Sequence, residues 1–495
     1  MLGSGRGTAL RRVALPLQHG AFLAGAFWVL LSFSLLCVGL CHQGAEGDRP
    51  GLKAGGKCID RERKALLAVR ADIWYARDYP PSSSWEKING DDCCLWEGVE
   101  CDNQTGHVIK LDLRRPQSSD IDDDYGYYDE VSPSLLNLTW LRYLDLSNNY
   151  FRGAPIPNFI GSLVNLEYLN LSHAGFGGTL PPQLGGLHLL HSLDLSRNFF
   201  FSLKVENLRW LSHLSHLQYL DMSGVDLSLA TDWLHVINSI PSLSVVRLSG
   251  CDLQNLPTTL PHVNFTSLST LDLSWNDFFN TKWPLWLFNI TTLAELDLIS
   301  YNYDLRGPII PGEFEKMKHL EVLKLTGGFG IDGGVTPPSL LTLNKLKLLD
   351  LSGFPKLPDS LGNLVNLKRL ALFVSDSQGI SHIPESLGNL SRLESLSMNG
   401  YNITVPESLG NLVNLKELTL SSDDTISRGG IPESLGNLRG LKTLHVSGFN
   451  ITQEVLRNMG HLCNLTRLEV SGNMELGAEV NELFEGGATF QLKIS

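Results

Sequence analysis

Hydrophobic residues recur along the chain in one repeated phrase. Its clearest copy, Leu141-Arg-Tyr-Leu-Asp-Leu-Ser-Asn-Asn-Tyr-Phe151, has leucine at the first, fourth and sixth positions and asparagine at the ninth. A phrase repeated in register predicts a solenoid of stacked coils rather than several separate globular domains. The chain contains fourteen copies in all, and their first residues are 21 to 27 positions apart. The copies begin at Leu141, Leu166, Leu190, Leu217, Leu243, Leu268, Leu293, Leu320, Leu346, Leu367, Leu393, Leu415, Leu441 and Leu465.

The centre of each phrase predicts a short strand. In Leu144-Asp145-Leu146 leucines alternate with a polar residue, which is the period of a strand with one buried face. One such strand cannot bury its leucines alone, so neighbouring strands must share a core and pair in a parallel sheet. This sequence pattern is that of a leucine-rich repeat. The predicted fold class is therefore an α/β solenoid, a leucine-rich-repeat superhelix with a parallel concave sheet and a disulfide-bonded N-terminal cap.

The asparagine of the phrase predicts a ladder of hydrogen bonds between coils. We expect it to bond inward to neighbouring backbone at Asn149, Asn198, Asn276 and Asn473. A smaller residue stands there in other coils, at Ala174, Val225 and Cys251. The position of Cys251 favours a buried thiol over a catalytic one.

Residues 1–45 are predicted to be a signal peptide. Arg11 and Arg12 precede an apolar run over 21–40, and Gly44 and Ala45 supply small residues for cleavage. The apolar run is longer than is usual for a signal peptide, so an uncleaved anchor is the alternative. Either interpretation sends the chain into the secretory pathway.

Residues 46–113 are predicted to form a cap over the open end of the solenoid. Asp60 is placed to cap a helix that runs to Trp74, and a first strand follows at 108–113. An even set of cysteines in an exported chain predicts two disulfides. A zinc site is the weaker alternative, because adjacent cysteines cannot easily chelate one ion. The cysteines are Cys58, Cys93, Cys94 and Cys101.

Residues 114–140 hold an acidic, tyrosine-rich insertion and the start of the repeats. The insertion, 118–130, is interpreted as a solvated loop, and a contact site using its tyrosines is the alternative. Repeats then fill 141–495 and end without a C-terminal cap. Leu492-Lys-Ile494 lies in phase for a fifteenth strand, and no apolar stretch of 18 residues follows the repeats.

Motifs in the cap and the repeats resemble one protein group. The run Asp92-Cys-Cys-Leu-Trp-Glu-Gly-Val-Glu-Cys101, followed by Gly-His-Val-Ile-Lys-Leu-Asp-Leu113, is similar to the cap of plant extracellular leucine-rich-repeat proteins. The Pro-Glu-Ser-Leu-Gly-Asn-Leu runs at Pro384, Pro406 and Pro432 are similar to plant repeats. The chain resembles the plant receptor-like proteins, which lack a kinase. Its cap sequence Cys58-Ile-Asp-Arg-Glu-Arg-Lys-Ala-Leu-Leu67 resembles their fungal-xylanase-receptor branch.

The resemblance carries several expectations. It implies that Cys58 pairs with Cys93 and that Cys94 pairs with Cys101. Proteins of this group continue through more repeats, a closing cap and one membrane helix, so the chain resembles the front half of such a protein. It also implies a co-receptor or adaptor receptor kinase as partner.

Nine sequons predict a glycosylated surface. Asn170 is distinct because it stands at an outward strand position, where a sugar would project over the concave face and block ligand approach. The sequons begin at Asn103, Asn137, Asn170, Asn264, Asn289, Asn389, Asn402, Asn450 and Asn464.

Charge and motif content argue against catalysis and nucleic-acid binding. The formal net charge is −13, whereas phosphate backbones need a basic surface. No nucleophile–base pair, metal triad or cofactor motif emerges from the sequence, so we predict no enzyme activity, metal or cofactor. Aspartates at the outward strand position form a row that could carry out acid–base catalysis. Aspartate is, however, the residue that the repeat motif commonly has at this position. The residues are Asp145, Asp194, Asp221, Asp272, Asp297 and Asp350.

Aromatic and basic side chains near the strands are the candidate ligand-binding residues. Tyr143, Tyr168 and Tyr219 share one outward strand position, although tyrosine also suits strands for structural reasons. His173, Arg197 and Trp275 lie just past their strands.

These features together predict a non-catalytic, extracellular, receptor-like recognition protein. The resemblance implies that it senses a peptide, glycan or microbial protein in plant defence or development and signals through partner kinases, at the plasma membrane surface or in the apoplast. The alternative is a soluble binder of the polygalacturonase-inhibitor type, which acts on a cell-wall-degrading enzyme, or a truncated decoy.

Overall fold

The structure is a computed structural model in which two compact units, Met1–Lys53 and Ala54–Ser495, are distinguished. The predicted signal peptide and most of the acidic insertion lie outside the described residues. The described residues are 57–73, 85, 92–115, 130–198, 202–254, 256–276, 278, 284–299, 313–326, 338–352, 357–374, 381–400, 403–422, 430–449, 451, 453–471 and 491–494.

Short strands, one to a coil for most of the array, build one long sheet. The strands are β1 (Val99–Cys101), β2 (Val108–Asp112), β3 (Tyr143–Asp145), β4 (Tyr168–Asn170), β5 (Ser192–Asp194), β6 (Tyr219–Asp221), β7 (Val245–Arg247), β8 (Thr270–Asp272), β9 (Glu295–Leu298), β10 (Val322–Thr326), β11 (Leu348–Ser352), β12 (Arg369–Val374), β13 (Ser381–His382), β14 (Ser395–Gly400), β15 (Ile403–Thr404), β16 (Glu417–Ser422), β17 (Thr443–Ser447), β18 (Arg467–Ser471) and β19 (Gln491–Ile494).

The predicted parallel solenoid is confirmed. Seventeen strands form one sheet, in which β1 pairs antiparallel with β2 and every later neighbour is parallel. β13 and β15 form a separate two-stranded parallel pair. The leucine at the centre of each strand faces its counterpart in the next coil, as in Leu144↔Leu169, and both are fully buried. One continuous apolar core therefore runs along the array.

The opposite wall of each coil is built from short helical turns. Three α-helices are described: α1 (Asp60–Ile73), α2 (Trp233–Asn238) and α3 (Gln453–Met459). The other turns are 3₁₀ segments, and prolines precede or open many of them, where a fixed φ and a missing N–H cost least. They span Cys93–Leu95, Pro133–Asn137, Asn158–Ser162, Pro182–Gly186, Arg209–His213, Leu285–Asn289, Phe314–Lys316, Pro338–Thr342, Asp359–Asn363, Glu385–Asn389, Glu407–Asn411 and Glu433–Asn437.

Glycine in the Ser-Leu-Gly-Asn runs is required by close packing of adjacent coils. A Cβ added to Gly362 would lie 2.2 Å from the Ser386 carbonyl oxygen of the next coil. Such an approach is shorter than any van der Waals contact, so any larger residue would push the coils apart.

The predicted asparagine ladder is present where the structure describes it. The buried Asn198 amide donates to the Leu171 and Leu195 carbonyls at 3.0 and 2.8 Å. Its oxygen accepts the backbone N–H groups of Ala174 and Phe176. One side chain thus satisfies backbone groups in two coils, which would otherwise be buried without partners. Asn149 and Asn276 make equivalent bonds, whereas Asn473 lies outside the described residues.

Cys251 occupies a ladder position, as predicted. It is fully buried, and its thiol donates to the Met222 carbonyl at 3.1 Å. Burial raises the pKa of this thiol, so it stays protonated and unreactive.

The cap is joined to the first coil by a buried carboxylate. Glu62 on α1 is 2% exposed, accepts the backbone N–H of Val108 at 2.7 Å and contacts His107 Nδ1 at 2.7 Å. Disulfides join Cys58 to Cys93 and Cys94 to Cys101, the pairing that the resemblance implied. The cap helix also packs on the Pro133–Asn137 turn.

The strand expected at Leu492 is present. β19 pairs parallel with β18, and Leu492 and Ile494 stand opposite Leu468 and Val470. Within the described residues, none of the helices has both the length and the apolar character needed to cross a membrane.

Candidate ligand-binding face

The first outward position of each strand forms a row along the concave sheet, which we call the tyrosine lane. It runs through Tyr143, Tyr168, Ser192 and Tyr219 on β3 to β6. The rings of Tyr143 and Tyr168 stack with centroids 4.2 Å apart and planes within 2° of each other. The structure therefore brings two candidate tyrosines into contact, while Ser192 separates them from Tyr219.

A second row, which we call the carboxylate lane, lies two residues further along each strand. In β3 to β6 it comprises Asp145, Asn170, Asp194 and Asp221. The tyrosine rings lean over this lane, because the Tyr143 hydroxyl reaches Asp145 at 3.3 Å and the Tyr219 hydroxyl reaches Asp221 at 3.4 Å. Asp145 and Asp221, which were expected to point outward, are consequently covered, and Asp145 is only 1% exposed.

Crowded carboxylates give this lane unusual proton affinities. Burial, and then the charge of Asp221, raises the pKa of Asp194 to about 6. Burial and the charge of Asp272 likewise raise the pKa of Asp297 to about 6, although the Lys324 ammonium lies 2.7 Å from its carboxylate. Loss of hydration therefore outweighs the single ion pair.

Cations interrupt the carboxylate lane at two coils and were missed at the sequence level. Arg247 stands between Asp221 and Asp272 in register, and its guanidinium lies 5.8 Å from the Tyr219 ring centroid. Lys324 occupies the corresponding place between Asp297 and Asp350. Aligning the repeats by their leucines would have found both, since each replaces the usual aspartate.

His173, Arg197 and Trp275 share a strained backbone position just past their strands. Their φ angles are +55°, +61° and +59°, in the left-handed region. Gly224 and Gly250 occupy the equivalent position in two other coils. A left-handed conformation costs a side-chain-bearing residue roughly 1–2 kcal/mol. Large side chains at positions with this conformational cost indicate a functional role for His173, Arg197 and Trp275.

Two of these three residues are in contact. Arg197 lies with its guanidinium 3.2 Å from Nε2 of His173, and both side chains are exposed beside the sheet. Trp275 lies three coils beyond Arg197 with 41% of its surface exposed. The structure thus gathers Tyr143, Tyr168, His173 and Arg197 over adjacent coils and leaves Trp275 apart.

Comparisons with known families match the repeats and the cap. The family described as leucine-rich repeat region matches residues 305–430. The leucine-rich-repeat N-terminal domain family matches residues 59–102, and the leucine-rich repeat family matches 140–163 and 165–187. Together with the parallel sheet, these matches establish the repeat class and its N-terminal cap.

Two similar proteins come from Solanum lycopersicum. Receptor-like protein EIX1 is 40% identical over 286 residues, which cover 56% of this chain and 27% of that protein. Receptor-like protein EIX2 is 36% identical over 301 residues, covering 60% of this chain and 28% of that protein. The chain is a leucine-rich-repeat protein related to the plant receptor-like proteins. The match spans little more than a quarter of either relative.

Solved structures give a looser likeness to this solenoid. A leucine-rich-repeat protein of Leptospira interrogans, LIC12759, is 20% identical with a TM-score of 0.49, covering 73% of this chain and 86% of that one. The ectodomain of the Arabidopsis thaliana receptor kinase GASSHO1/SCHENGEN3 is 19% identical with a TM-score of 0.44, covering 84% and 64%. The family assignment rests on the sequence matches.

The sequon asparagines of the solenoid differ in exposure. Asn170 is half-buried on the concave face, where its amide donates to the Tyr168 hydroxyl at 3.3 Å. Asn137 is also half-buried and accepts two bonds from Arg61. Asn402 and Asn450 lie outside the described residues. The exposed sequon asparagines are Asn103, Asn264, Asn289, Asn389 and Asn464.

The cap cysteines are the one group of three potential metal ligands that the described residues bring together. Cys58, Cys93 and Cys94 have sulfurs within 4.8 Å of one another, and all three are held in the disulfides described above. A disulfide sulfur carries no thiolate charge, so the group does not fit a zinc ion.

Proposed function

We propose that the receptor-like solenoid is a non-catalytic extracellular recognition protein that binds a peptide, glycan or microbial protein over the tyrosine lane. The stacked pair of Tyr143 and Tyr168 carries the proposal. Both rings are half-buried, and each presents a flat amphipathic surface beside the exposed His173 and Arg197. Rigid aromatic anchors with adjacent basic groups are typical of protein interfaces.

The remaining parts of the proposal come from the relatives. Proteins named receptor-like share the cap and repeats, which supports secretion, a glycosylated surface and signalling through a receptor kinase partner in defence or development. The site would then stand at the plasma membrane surface or in the apoplast. The five exposed sequons are compatible with sugars that leave the tyrosine lane open, and a sugar on Asn170 would cover it.

The test uses secreted protein against a defined panel: fungal xylanase, fungal polygalacturonase, cell-wall oligosaccharides and a short-peptide library. We expect saturable binding of one panel member, measured by biolayer interferometry, to weaken at least tenfold in the double variant Tyr143→Ser, Tyr168→Ser. Val365→Ala is the matched control, because this exposed residue precedes a strand far from the lane and the change creates no sequon.

Two outcomes would contradict the proposal. Binding that survives the double tyrosine variant unchanged would place recognition elsewhere. Loss of polygalacturonase activity on addition of the protein, with no dependence on the tyrosines, would favour the inhibitor type over the receptor-like role.

A further inference from the structure

One position of the tyrosine lane lacks an aromatic ring, and we call this position the gap. Ser192 stands in register between Tyr168 and Tyr219, so the two rings belong to strands separated by one intervening strand. Strands lie about 4.8 Å apart, which puts the rings roughly 10 Å apart across the gap. The neighbouring pair stacks at 4.2 Å, so a serine leaves room for one planar group between Tyr168 and Tyr219.

Cations of the protein itself cover the two outer ends of this row. The Lys110 ammonium lies 5.1 Å from the Tyr143 ring centroid, and Arg247 lies over Tyr219 and donates to its hydroxyl at 3.4 Å. A positive group on a tyrosine face beside carboxylates is therefore an arrangement that this surface already uses twice. The inner faces of Tyr168 and Tyr219 border the gap instead.

The gap also removes a hydrogen-bond donor from the carboxylate lane. Tyrosine hydroxyls contact Asp145, Asn170 and Asp221, each two residues beyond its own ring. Ser192 carries no ring, so Asp194 has no such donor. Among the described residues, its carboxylate is held by the backbone N–H and the side chain of Ser196 on the strand's far side. Asp194 is half-buried, so part of its surface remains exposed.

We propose that the gap binds an arginine side chain of a protein or peptide ligand, with the guanidinium stacked between Tyr168 and Tyr219 and paired with Asp194. Guanidinium is planar, presents two faces to aromatic rings and donates along its edge to a carboxylate. A lysine ammonium offers only a point charge, and a neutral ring would leave Asp194 without a partner. This inference rests on the proposed recognition role and names the chemistry of its ligand.

The experiment uses N-acetyl-arginine methylamide as the probe and the citrulline analogue as its neutral isostere. The protein and all its variants are produced without N-glycosylation, because Asp194→Asn and Asp350→Asn each create an Asn-Leu-Ser sequon. Saturation-transfer NMR on the folded protein should show the arginine probe binding at least tenfold more tightly than the citrulline probe. Ser192→Tyr fills the gap and Asp194→Asn removes the charge, so each should weaken binding of the arginine probe at least tenfold.

Matched controls exist at other coils. Ser395→Tyr adds a ring at the same strand position on β14, and Asp350→Asn removes a carboxylate from the same lane on β11. Both should leave binding of the arginine probe unchanged, which separates the gap from general changes in shape and charge.

The results distinguish this inference from the proposed function. Equal binding of arginine and citrulline probes, or full binding to Ser192→Tyr, overturns the arginine site even when the tyrosine-dependent binding of a panel ligand persists. Specific arginine binding that is lost in Ser192→Tyr supports the site, even where the panel ligand ignores the tyrosines and the broader role fails.

Discussion

Replacing Asp194 by asparagine should stabilise the protein at neutral pH. The carboxyl is mostly buried, and burial together with the charge of Asp221 raises its pKa to about 6 from an ordinary value of 3.8. Folding therefore holds an ionised group in surroundings that disfavour its charge. The neighbouring coil already carries the replacement, because Asn170 stands at the same register position and accepts from the Ser172 N–H and hydroxyl at 3.0 and 2.7 Å.

The magnitude follows from the difference between the two pKa values. For one carboxyl, the rise from 3.8 to about 6 corresponds to about 3 kcal/mol of folding free energy lost when it is ionised. Because the folded pKa is raised, the favourable contribution is present below pH 3.8 and is lost as pH rises through about 6. The gain from Asp194→Asn should thus be full above about pH 6 and vanish near pH 4.

Urea unfolding followed by circular dichroism measures this gain at about pH 7.5 and about pH 4, on protein produced without N-glycosylation because the change creates an Asn-Leu-Ser sequon. The exposed Asp359→Asn is the control and should change the free energy of unfolding by less than about 0.5 kcal/mol. A loss of stability in Asp194→Asn at pH 7.5, or an equal gain at both pH values, would refute the electrostatic reasoning. A gain also shows that any loss of arginine binding in this variant is not caused by unfolding.

Two further predictions concern the contacts between coils. Asn198→Ala should lower the free energy of unfolding by about 3 kcal/mol or more, because it leaves several buried backbone groups without partners; the urea midpoint measures this, and a change below about 1 kcal/mol would count against the ladder. Gly448→Ala should cost at least about 2 kcal/mol, since its φ is +72° and the new Cβ would lie 1.9 Å from the Ser422 oxygen. Gly430→Ala, with no atom within 4 Å, is the control, and equal effects at both glycines would contradict the steric argument.

The repeated sequence motif by itself determines the solenoid. Alternating leucines such as Leu144 and Leu146 can be buried only against the next coil, so periodicity dictates both strand direction and register. The ladder role of Asn198 and the buried state of Cys251 follow from the same alignment. These are local, repeated features, and the same physical solution recurs in each coil.

Other features depended on how neighbouring coils meet. Sequence alternation predicted that Asp145 would face outward, yet the Tyr143 ring covers it, because residues two apart on a strand share one face and long side chains lean over short ones. Glu62 lies on the cap helix, and its burial arises from its contact with Val108, 46 residues away in the chain, which the local sequence does not indicate.

The candidate binding site likewise has some features that the sequence predicts and others that depend on the tertiary structure. The sequence by itself placed Tyr143, Tyr168 and Tyr219 on one lane, since they share a position in the phrase. Only the tertiary structure decided that two of them stack, that Ser192 opens a space before the third, and that Asp194 loses the hydroxyl its neighbours receive. Those properties depend on distances between side chains about 25 positions apart in the sequence. The repeat period predicts which residues are neighbours, but it does not give the distances between their side chains.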